Sequence, residues 1–246
     1  MSVCSYLRLP FSFDVAKLQH DLALAVQAPW INHFNTRDYE EEWSCIPLRS
    51  VGGRMDHILP IESEDFQDTE ILQQCAYFRE VIAQFQCEKT SIRLMSLAAG
   101  GVIKEHRDAG ASLEDGITRL HIPIQTTPEV MFTIDHVPVH FSIGDTWYLN
   151  ASCLHGVCND SPHARVHLML DCISNSWLEQ VCRQAGWISR PPLRYPDPSI
   201  HDGNVAEVIE RLRQAAFPAG LNLADELEAI ALSPLKTGQK ILLTGT

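Results

Sequence analysis

Apolar residues recur at helical spacing in two segments of the first 90 residues. The first segment, SFDVAKLQHDLALAVQAP, starts at Ser12 as a candidate N-cap and is followed by one apolar stripe: Val15, Leu18, Leu22 and Val26. The second segment, DTEILQQCAYFREVIAQF, has the same 3.6-residue period. Between them, WSCIPLRSVGG predicts a strand that ends in a glycine turn, and Pro47 suggests an edge position. We therefore expect two N-terminal helices with a strand between them.

From Thr90 to Cys172 the period changes from that of helices to that of strands. Short β-branched and aromatic runs alternate with turn signals: SIRLMSL, ITRLHIPIQ, VMFTID, VHFSIGD, TWYLN and ARVHLMLDC. In the last run, Val166, Leu168, Leu170 and Cys172 share one face, and the alternate residues, from Arg165 to Asp171, share the other. This spacing predicts a sandwich or barrel.

Beyond Cys172 the pattern becomes helical again. SWLEQVCRQAG, NVAEVIERLRQAAF and LADELEAIAL predict helices, and the proline-rich stretch Arg190–Ser199 predicts an extended connection. The pattern as a whole predicts a mainly β fold with flanking helices (α+β). We expect a β domain with N-terminal helices over residues 1–175 and a C-terminal helical subdomain, packed on it, over residues 176–246.

Composition narrows the classes of function. The 246 residues carry a net charge of −12, which argues against a nucleic-acid partner because phosphate binding needs a basic face. No apolar run reaches the roughly 20 residues of a membrane span, so we expect no membrane association. The N-terminus lacks the pattern of a secretory signal, and the eight cysteines form no CxxC pair. These features favour a cytoplasmic protein with reduced thiols.

The candidate chemistry lies in the β region, where seven of the eleven histidines fall between His106 and His167. In KEHRDAG, His106 and Asp108 share one face of an extended segment, since side chains alternate along a strand. His155 follows the strand TWYL, about where the next strand should begin. Two histidines and one carboxylate form the facial triad of non-haem Fe(II) oxygenases, which leaves coordination positions open for a co-substrate and oxygen.

An oxygenase of this type usually takes electrons from 2-oxoglutarate, whose distal carboxylate needs a cation. Arg165 lies ten residues after His155, on the polar face of the last strand of the β region. Arg119 and His121 form a second pair two residues apart, which could hold or polarise the other carboxylate. Polar pairs from several strands aimed at one side are more typical of a site than of a core.

Each of these residues taken alone has a structural interpretation, such as a surface ion pair or a hydrogen-bonded histidine. Two classes of function compete with the oxygenase. A cupin-like Zn or Mn enzyme could use the same three ligands with His121 or His167 as a fourth, and a non-catalytic binding module could retain the fold without the chemistry.

Four segments from Arg93 to Cys172 together resemble the aspartyl/asparaginyl β-hydroxylase family, which includes bacterial proline hydroxylases. They are RLMSLAAGGVIKEHRD, TRLHIPI, GDTWYLNASCLHGV and RVHLMLDC. The resemblance implies a double-stranded β-helix (jelly-roll, cupin-like) core. It also implies an oxidoreductase that uses Fe(II), 2-oxoglutarate and O2, with ascorbate as a stimulant.

Carried over by position, the resemblance implies His106, Asp108 and His155 as the metal ligands and catalytic centre, and Arg165 as the partner of the distal carboxylate of 2-oxoglutarate. Arg119 and His121 match a pair that contacts the other end of the co-substrate. The expected reaction is hydroxylation of an unactivated carbon of a free, proline-like amino acid or an amino-acid-derived small molecule. The alternative substrate is an Asp or Asn side chain in a peptide or protein.

Further candidate contacts follow from the charge of an amino-acid substrate. Its carboxylate would need a cation, for which Arg93, Arg49 and Arg54 are candidates. Trp147 or Trp43 is a candidate wall of the substrate pocket. Asn150 or Asn159 is a candidate for orienting the ligand imidazoles.

Overall fold

The structure is a computed structural model that describes residues 4–58, 65–188, 195, 197 and 199–233. It divides the chain into two compact units, Met1–Ser189 and Arg190–Thr246. The sequence predicts a division after residue 175, in front of the helix Ser176–Gln184 (α4), whereas the structure keeps this helix in the first unit.

Within the described residues, the first unit contains thirteen strands and four helices. The strands are β1 (Tyr6–Ser12), β2 (Ile31–Asn32), β3 (Tyr39–Glu40), β4 (Trp43–Val51), β5 (Phe66–Asp68), β6 (Lys89–Leu97), β7 (Val102–His106), β8 (Ile117–Gln125), β9 (Val130–Ile134), β10 (Val137–Val139), β11 (Asp145–Leu149), β12 (His155–Asn159) and β13 (Arg165–Ile173). The helices are α1 (Val15–Ala25), α2 (Glu70–Gln74), α3 (Ala76–Ala83) and α4.

The strands form two antiparallel sheets. The larger has the order β1-β11-β8-β13-β6-β4-β2, with β5 paired to β4, and the smaller has the order β10-β9-β12-β7-β3. The eight successive strands β6 to β13 supply four strands to each sheet, in the orders β11-β8-β13-β6 and β10-β9-β12-β7. Chain order and strand order together define a double-stranded β-helix, or jelly roll, so the predicted fold is confirmed.

The N-terminal helices differ from their predictions in detail. Helix α1 begins after Asp14, whose carboxylate accepts a hydrogen bond from the backbone N–H of Lys17, so Ser12 is not the N-cap. The second predicted helix is interrupted at Cys75, which separates α2 from α3. The edge position suggested by Pro47 is wrong, because β4 pairs with β6 on one side and with β2 and β5 on the other. Pro47 lies between the segments that pair with β2 and β5, so the sheet tolerates its missing N–H on that side.

Alternation along the strands divides the buried apolar residues into two layers. The outer layer lies between the larger sheet and helices α1 to α4, and the apolar face of β13, Val166 to Cys172, belongs to it. The inner layer lies between the two sheets and contains Met95, Phe132, Phe141, Trp147 and Met169. The polar side chains of β13 face this inner layer, because alternate residues of a strand point to opposite faces.

The second unit contains α5 (Val205–Ala215) and α6 (Pro218–Leu232), which confirms both predicted helices. They enclose a small apolar cluster around Tyr195, Val205 and Leu227. Most of the proline-rich connection predicted over residues 190–199 lies outside the described residues. None of the helices described is long and apolar enough to cross a membrane.

Candidate metal and co-substrate site

The three predicted metal ligands converge between the sheets. His106 ends β7 and His155 begins β12, and the two residues pair directly across these strands, with ring centroids 4.4 Å apart. Asp108 follows β7 in the next loop. One ligand atom from each of the three residues lies within 4.8 Å of the others, which matches a two-histidine, one-carboxylate site.

The backbone fixes the orientation of both ligand imidazoles. Nδ1 of His106 lies 2.7 Å from the carbonyl oxygen of Lys104, and Nδ1 of His155 lies 2.9 Å from that of Cys153. Each Nδ1 therefore donates its proton to a carbonyl, which leaves Nε2 with a free lone pair for a metal. Burial also lowers the pKa of His155 to about 4, which keeps this imidazole neutral at pH 7.

The two asparagines predicted to orient the imidazoles have other roles. Asn159 donates to the carbonyl oxygens of Leu97, Ala98 and His163, and so ties together the loops beside β12. Asn150 accepts a hydrogen bond from the N–H of Ser152. The prediction that either one orients a ligand is therefore wrong, because carbonyls two residues before each histidine already fill that role.

Asp108 is oriented by an arginine from the neighbouring sheet. Its Oδ2 forms an ion pair with Arg119, while its Oδ1 lies 3.7 Å from Nε2 of His106. Burial alone would raise the pKa of Asp108, but the charge and hydrogen bond of Arg119 hold that pKa below its ordinary value. One oxygen is thus anchored by Arg119, and the carboxylate stays ionised as metal binding requires.

A buried carboxylate links Arg119 to Arg93. Asp171 lies opposite Arg119 on the paired strands β8 and β13, and its Oδ1 accepts from Nε of Arg119 at 2.8 Å. Its Oδ2 accepts from Arg93 at 2.7 Å. Burial raises the pKa of Asp171, but the two guanidinium groups hold that pKa below its usual range. The alternation of β13 predicts that Asp171 shares a face with Arg165. Its two arginine partners could not be predicted from the sequence.

Arg165 is a buried cation with no counter-ion in the described part of the chain. Its side chain is 2% exposed, and its Nε has no hydrogen-bond partner. Its guanidinium lies over the ring of Phe132, 5.7 Å from the centroid. Burial lowers the pKa of Arg165 to about 10, which still leaves it protonated at pH 7. A buried, unpaired guanidinium is expected to have an anionic ligand, because the charge is costly to bury alone.

His121 and His167 form a buried pair beside Arg165. Their Nδ1 atoms are 3.4 Å apart, and each Nε2 is buried without a partner. Burial holds the pKa of both imidazoles well below the ordinary value, so both are neutral. A single proton lies between the two Nδ1 atoms, so one ring presents an Nε2–H donor and the other a bare Nε2 acceptor.

Two adjoining cavities contain these groups. The inner cavity, of about 50 Å³, is lined by the three candidate ligands together with Arg119, His121 and Arg165. The outer cavity, of about 860 Å³, is also lined by His106, Asp108 and Arg119. It extends past Arg93 and Asp171 to a group of aromatic residues, His33, Phe34, Trp43 and Phe66. No pattern in the sequence points to His33 and Phe34, which lie far from the metal motif along the chain.

The predicted substrate residues divide into two groups. Arg93 and Trp43 line the outer cavity. Neither Arg49, which is paired with Asp68, nor Arg54, which is paired with Asp56 at the surface, belongs to its lining. Trp147 is also absent from that lining, since it is buried in the inner layer and stacked on Phe141 at 4.8 Å. The geometry therefore supports Arg93 and Trp43, and gives no support to Arg49, Arg54 or Trp147.

The residues present fit a divalent metal and a dicarboxylate co-substrate. Two imidazole Nε2 atoms and one carboxylate oxygen converge from neighbouring positions, and Arg165 in the same cavity lacks an anion. His121 and His167 contact each other and lie outside the convergent group of ligands found among the described residues. A site with three protein ligands fits this arrangement better than one with four.

Curated relatives with similar sequences are proline hydroxylases. The chain is 23% identical over 173 residues to L-proline cis-4-hydroxylase of Rhizobium meliloti (strain 1021), which covers 70% of this chain and 61% of that protein. It is 24% identical over 164 residues to L-proline cis-3-hydroxylase 1 of a Streptomyces species, covering 64% of this chain and 56% of that protein. The chain thus spans about three fifths of the length of the curated relatives it matches.

Among solved structures, a 2OG-Fe(II) oxygenase family oxidoreductase from Burkholderia pseudomallei superimposes with a TM-score of 0.47 and 14% identity, over 70% of this chain and 86% of that one. The model of the family described as aspartyl/asparaginyl beta-hydroxylase matches residues 14–175, about two thirds of the chain. That span includes the whole jelly roll and every candidate ligand. The chain belongs to the aspartyl/asparaginyl β-hydroxylase family.

Proposed function

We propose that this protein is an Fe(II)- and 2-oxoglutarate-dependent dioxygenase that hydroxylates an unactivated carbon of a free amino acid or an amino-acid-derived small molecule. One observation carries the proposal. The convergent set His106, Asp108 and His155 lines the same cavity as Arg165, a buried guanidinium with no counter-ion among the described residues. A metal and a dicarboxylate together would satisfy both features.

Bound iron with 2-oxoglutarate would supply the oxygen activation, and the chain would supply positioning and shielding. Nε2 of His106, Nε2 of His155 and Oδ1 of Asp108 would hold the metal. Arg165 would bind the distal carboxylate of 2-oxoglutarate through a planar guanidinium, in a site where burial strengthens the ion pair. The side chain of Phe132 covers that guanidinium on one face and limits its access to water.

Arg119 and His121 remain predicted contacts of the other end of the co-substrate. Arg119 already holds Asp108 and Asp171, so its first role is to set the direction of the metal-binding carboxylate. His121 lines the inner cavity and has a buried, unpartnered Nε2. With its Nδ1 accepting from His167, this Nε2 would carry a proton and could donate to an oxygen of the co-substrate.

Outer-cavity residues support a small organic substrate. Arg93 provides a buried cation beside the metal set, and Trp43 provides an apolar wall. The proline hydroxylases among the relatives favour an amino acid or a derivative over a protein side chain. An Asp or Asn residue in a peptide is the alternative substrate. Cytoplasmic location and stimulation by ascorbate stay predictions.

The test is succinate release from 2-oxoglutarate in air with Fe(II) and ascorbate, across a panel of free amino acids, their derivatives and short peptides. We expect substrate-stimulated succinate formation in the native protein and none above background in His106→Ala and Asp108→Ala. Equal turnover in all three proteins would overturn the metal assignment. Tight Zn(II) or Mn(II) binding without any effect of 2-oxoglutarate would favour the cupin-like alternative, and no metal binding at all would favour a binding module.

A further inference from the structure

The charged residues that line the outer cavity determine which substrate charge can be neutralised there. Five charged residues line it: Arg93, Arg107, Arg119, Asp108 and Asp171. Arg107 is exposed to solvent and donates to a backbone carbonyl, whereas the other four are paired with one another in the structure. On the proposed function, Asp108 gives its charge to the metal. The metal, Asp108, a doubly charged 2-oxoglutarate and Arg165 then balance one another. Arg93, Arg119 and Asp171 are left with one uncompensated positive charge.

That positive charge is buried, so it would be stabilised by an anionic ligand. Arg93 is 2% exposed, and its Nε has no hydrogen-bond partner. Its other nitrogens contact Asp171 and the carbonyl oxygen of Ile58. A substrate carboxylate beside Arg93 would neutralise the group and use the free N–H, which is the strong, charge-assisted type of hydrogen bond.

An ammonium group would find no such partner in the part of the cavity that the structure describes. The carboxylates that line it are Asp108 and Asp171. The first would be bound to the metal, and both oxygens of the second already accept from arginines. A zwitterionic amino acid has no net charge, so it would leave the positive charge uncompensated and would desolvate its own ammonium without a salt bridge.

One side of the outer cavity is formed by a stack of rings. Phe34 stacks on His33 with ring centroids 4.4 Å apart, and His33 stacks on Trp43 at 3.6 Å. Burial lowers the pKa of His33 to about 4, so the middle ring of this stack is uncharged at pH 7. Phe34 is 51% exposed at the rim, and Ile173 lines the cavity with 38% exposed. A cavity side built from stacked rings and apolar side chains favours a ligand with an apolar part.

The volume of the outer cavity also favours a substrate with an apolar body larger than that of a small amino acid. A volume of about 860 Å³ lies within the range of cavities that hold drug-sized ligands. A single small amino acid would leave most of this space without contact.

We propose that the outer cavity binds a monoanionic carboxylic acid with an apolar body, such as an N-acylated amino acid, in preference to a zwitterionic free amino acid. The carboxylate pairs with Arg93, and the apolar body packs along the stack of Phe34, His33 and Trp43. The inference rests on the proposed function, since the charge balance counts the metal and the co-substrate.

Titration calorimetry without oxygen tests this inference, with Mn(II) in place of iron and 2-oxoglutarate present. Matched ligands are L-leucine, N-acetyl-L-leucine, N-hexanoyl-L-leucine and N-acetyl-L-leucinamide, with L-proline and N-acetyl-L-proline as a second pair. We expect each N-acetyl acid to bind at least about tenfold more tightly than its free amino acid, and the amide to lose about tenfold or more. N-hexanoyl-L-leucine should bind more tightly again, because it buries more apolar surface.

The ring stack is tested by Phe34→Ala, with Phe217→Ala as the matched control because Phe217 is 49% exposed in the other unit. We expect Phe34→Ala to remove most of the gain from the hexanoyl chain while leaving Mn(II) and 2-oxoglutarate binding unchanged. Phe217→Ala should change none of these constants. Equal loss in both variants would overturn the assignment of the apolar site.

Different results would overturn the proposed function and the preference for an N-acylated acid. Absence of Mn(II) and 2-oxoglutarate binding, seen before any substrate is added, would overturn the proposed function. Normal binding of both, with free leucine or proline as tight as the N-acetyl acids, would overturn only the further inference. An amide as tight as its acid would do the same, because the carboxylate would then have no role.

Discussion

Nδ1 of His167 lies 3.4 Å from Nδ1 of His121, and both imidazoles are buried between the sheets. Neither ring has a carboxylate partner among the described side chains, and both stay neutral in the folded protein. Burial holds the pKa of each below the ordinary value near 6.5. In the unfolded chain both would titrate normally.

This pair should make stability depend on pH. Below about pH 6.5 the unfolded state binds protons that the folded state refuses, so stability should fall as the pH is lowered, by up to about 1.4 kcal/mol per pH unit for each histidine. Urea unfolding of the metal-free protein at pH 7.5 and 5.5 measures the slope. In His167→Asn, one titrating group is gone, and the slope should be smaller by up to one proton. An unchanged slope would mean that His167 is protonated in the folded state.

The proposed metal ligands predict different effects on Mn(II) affinity for neighbouring substitutions in KEHRDAG. His106→Ala and Asp108→Ala should weaken Mn(II) binding by more than about 100-fold, because removing a ligand costs more than removing its outer partner. Arg107→Ala should leave the dissociation constant unchanged, since Arg107 is exposed and donates to the carbonyl oxygen of Ser152. Titration followed by electron paramagnetic resonance gives all three constants. Loss of Mn(II) in Arg107→Ala would show that the strand end is misassigned.

Arg165→Met should change the melting temperature differently in the absence and in the presence of 2-oxoglutarate. Removing a buried, unpaired charge should raise the melting temperature of the co-substrate-free protein, because the desolvation cost disappears. The same change should abolish the further stabilisation that 2-oxoglutarate gives in the presence of Mn(II). Thermal melts with and without 2-oxoglutarate measure both effects. Arg183→Met is the control, since Arg183 lies over Trp187 at the surface; the prediction fails when both variants behave alike.

Asp171→Asn should destabilise the fold by about 3–5 kcal/mol, because two buried guanidinium groups lose their shared carboxylate. The matched variant Asp68→Asn removes the exposed partner of Arg49 and should cost less than about 1 kcal/mol. Urea unfolding at pH 7.5 compares the two. Equal small losses would indicate that Arg93 and Arg119 find other partners.

Gly156 has a role in bringing the ligand histidines together. A Cβ at this position would lie 2.9 Å from the carbonyl oxygen of Ile103 in β7, the strand that carries His106. In Gly156→Ala, β12 should move away from β7, which separates His155 from His106 and weakens Mn(II) binding by about tenfold or more. Gly203→Ala serves as the control, because there the nearest atoms belong to the exposed side chain of His201. Equal Mn(II) affinity in the two variants would show that the strands tolerate the methyl group.

Local periodicity predicted most of the strands around the site. The strand runs from Thr90 to Cys172 follow from alternation with a period of two, except VHFSIGD, of which only Val139 and Asp145 lie in strands. The HxD spacing and the polar face of β13 follow from the same alternation. For the same reason, Arg165 and His167 were placed on the correct face of β13 without knowledge of any partner. The resemblance of the motifs then predicted the jelly roll, which the strand order confirms.

Contacts between distant strands were decided only by the tertiary structure. Nothing in the sequence shows that Asp171 bridges Arg93 and Arg119, because the three residues lie on three different strands of the larger sheet. Which tryptophan lines the outer cavity was likewise undecided, since Trp43 and Trp147 both lie on strands, and only sheet position puts Trp43 at the cavity and Trp147 against Phe141. Alternation fixes the face of a side chain within its own strand. Its neighbours across the sheet depend on strand order and register, which long-range packing sets.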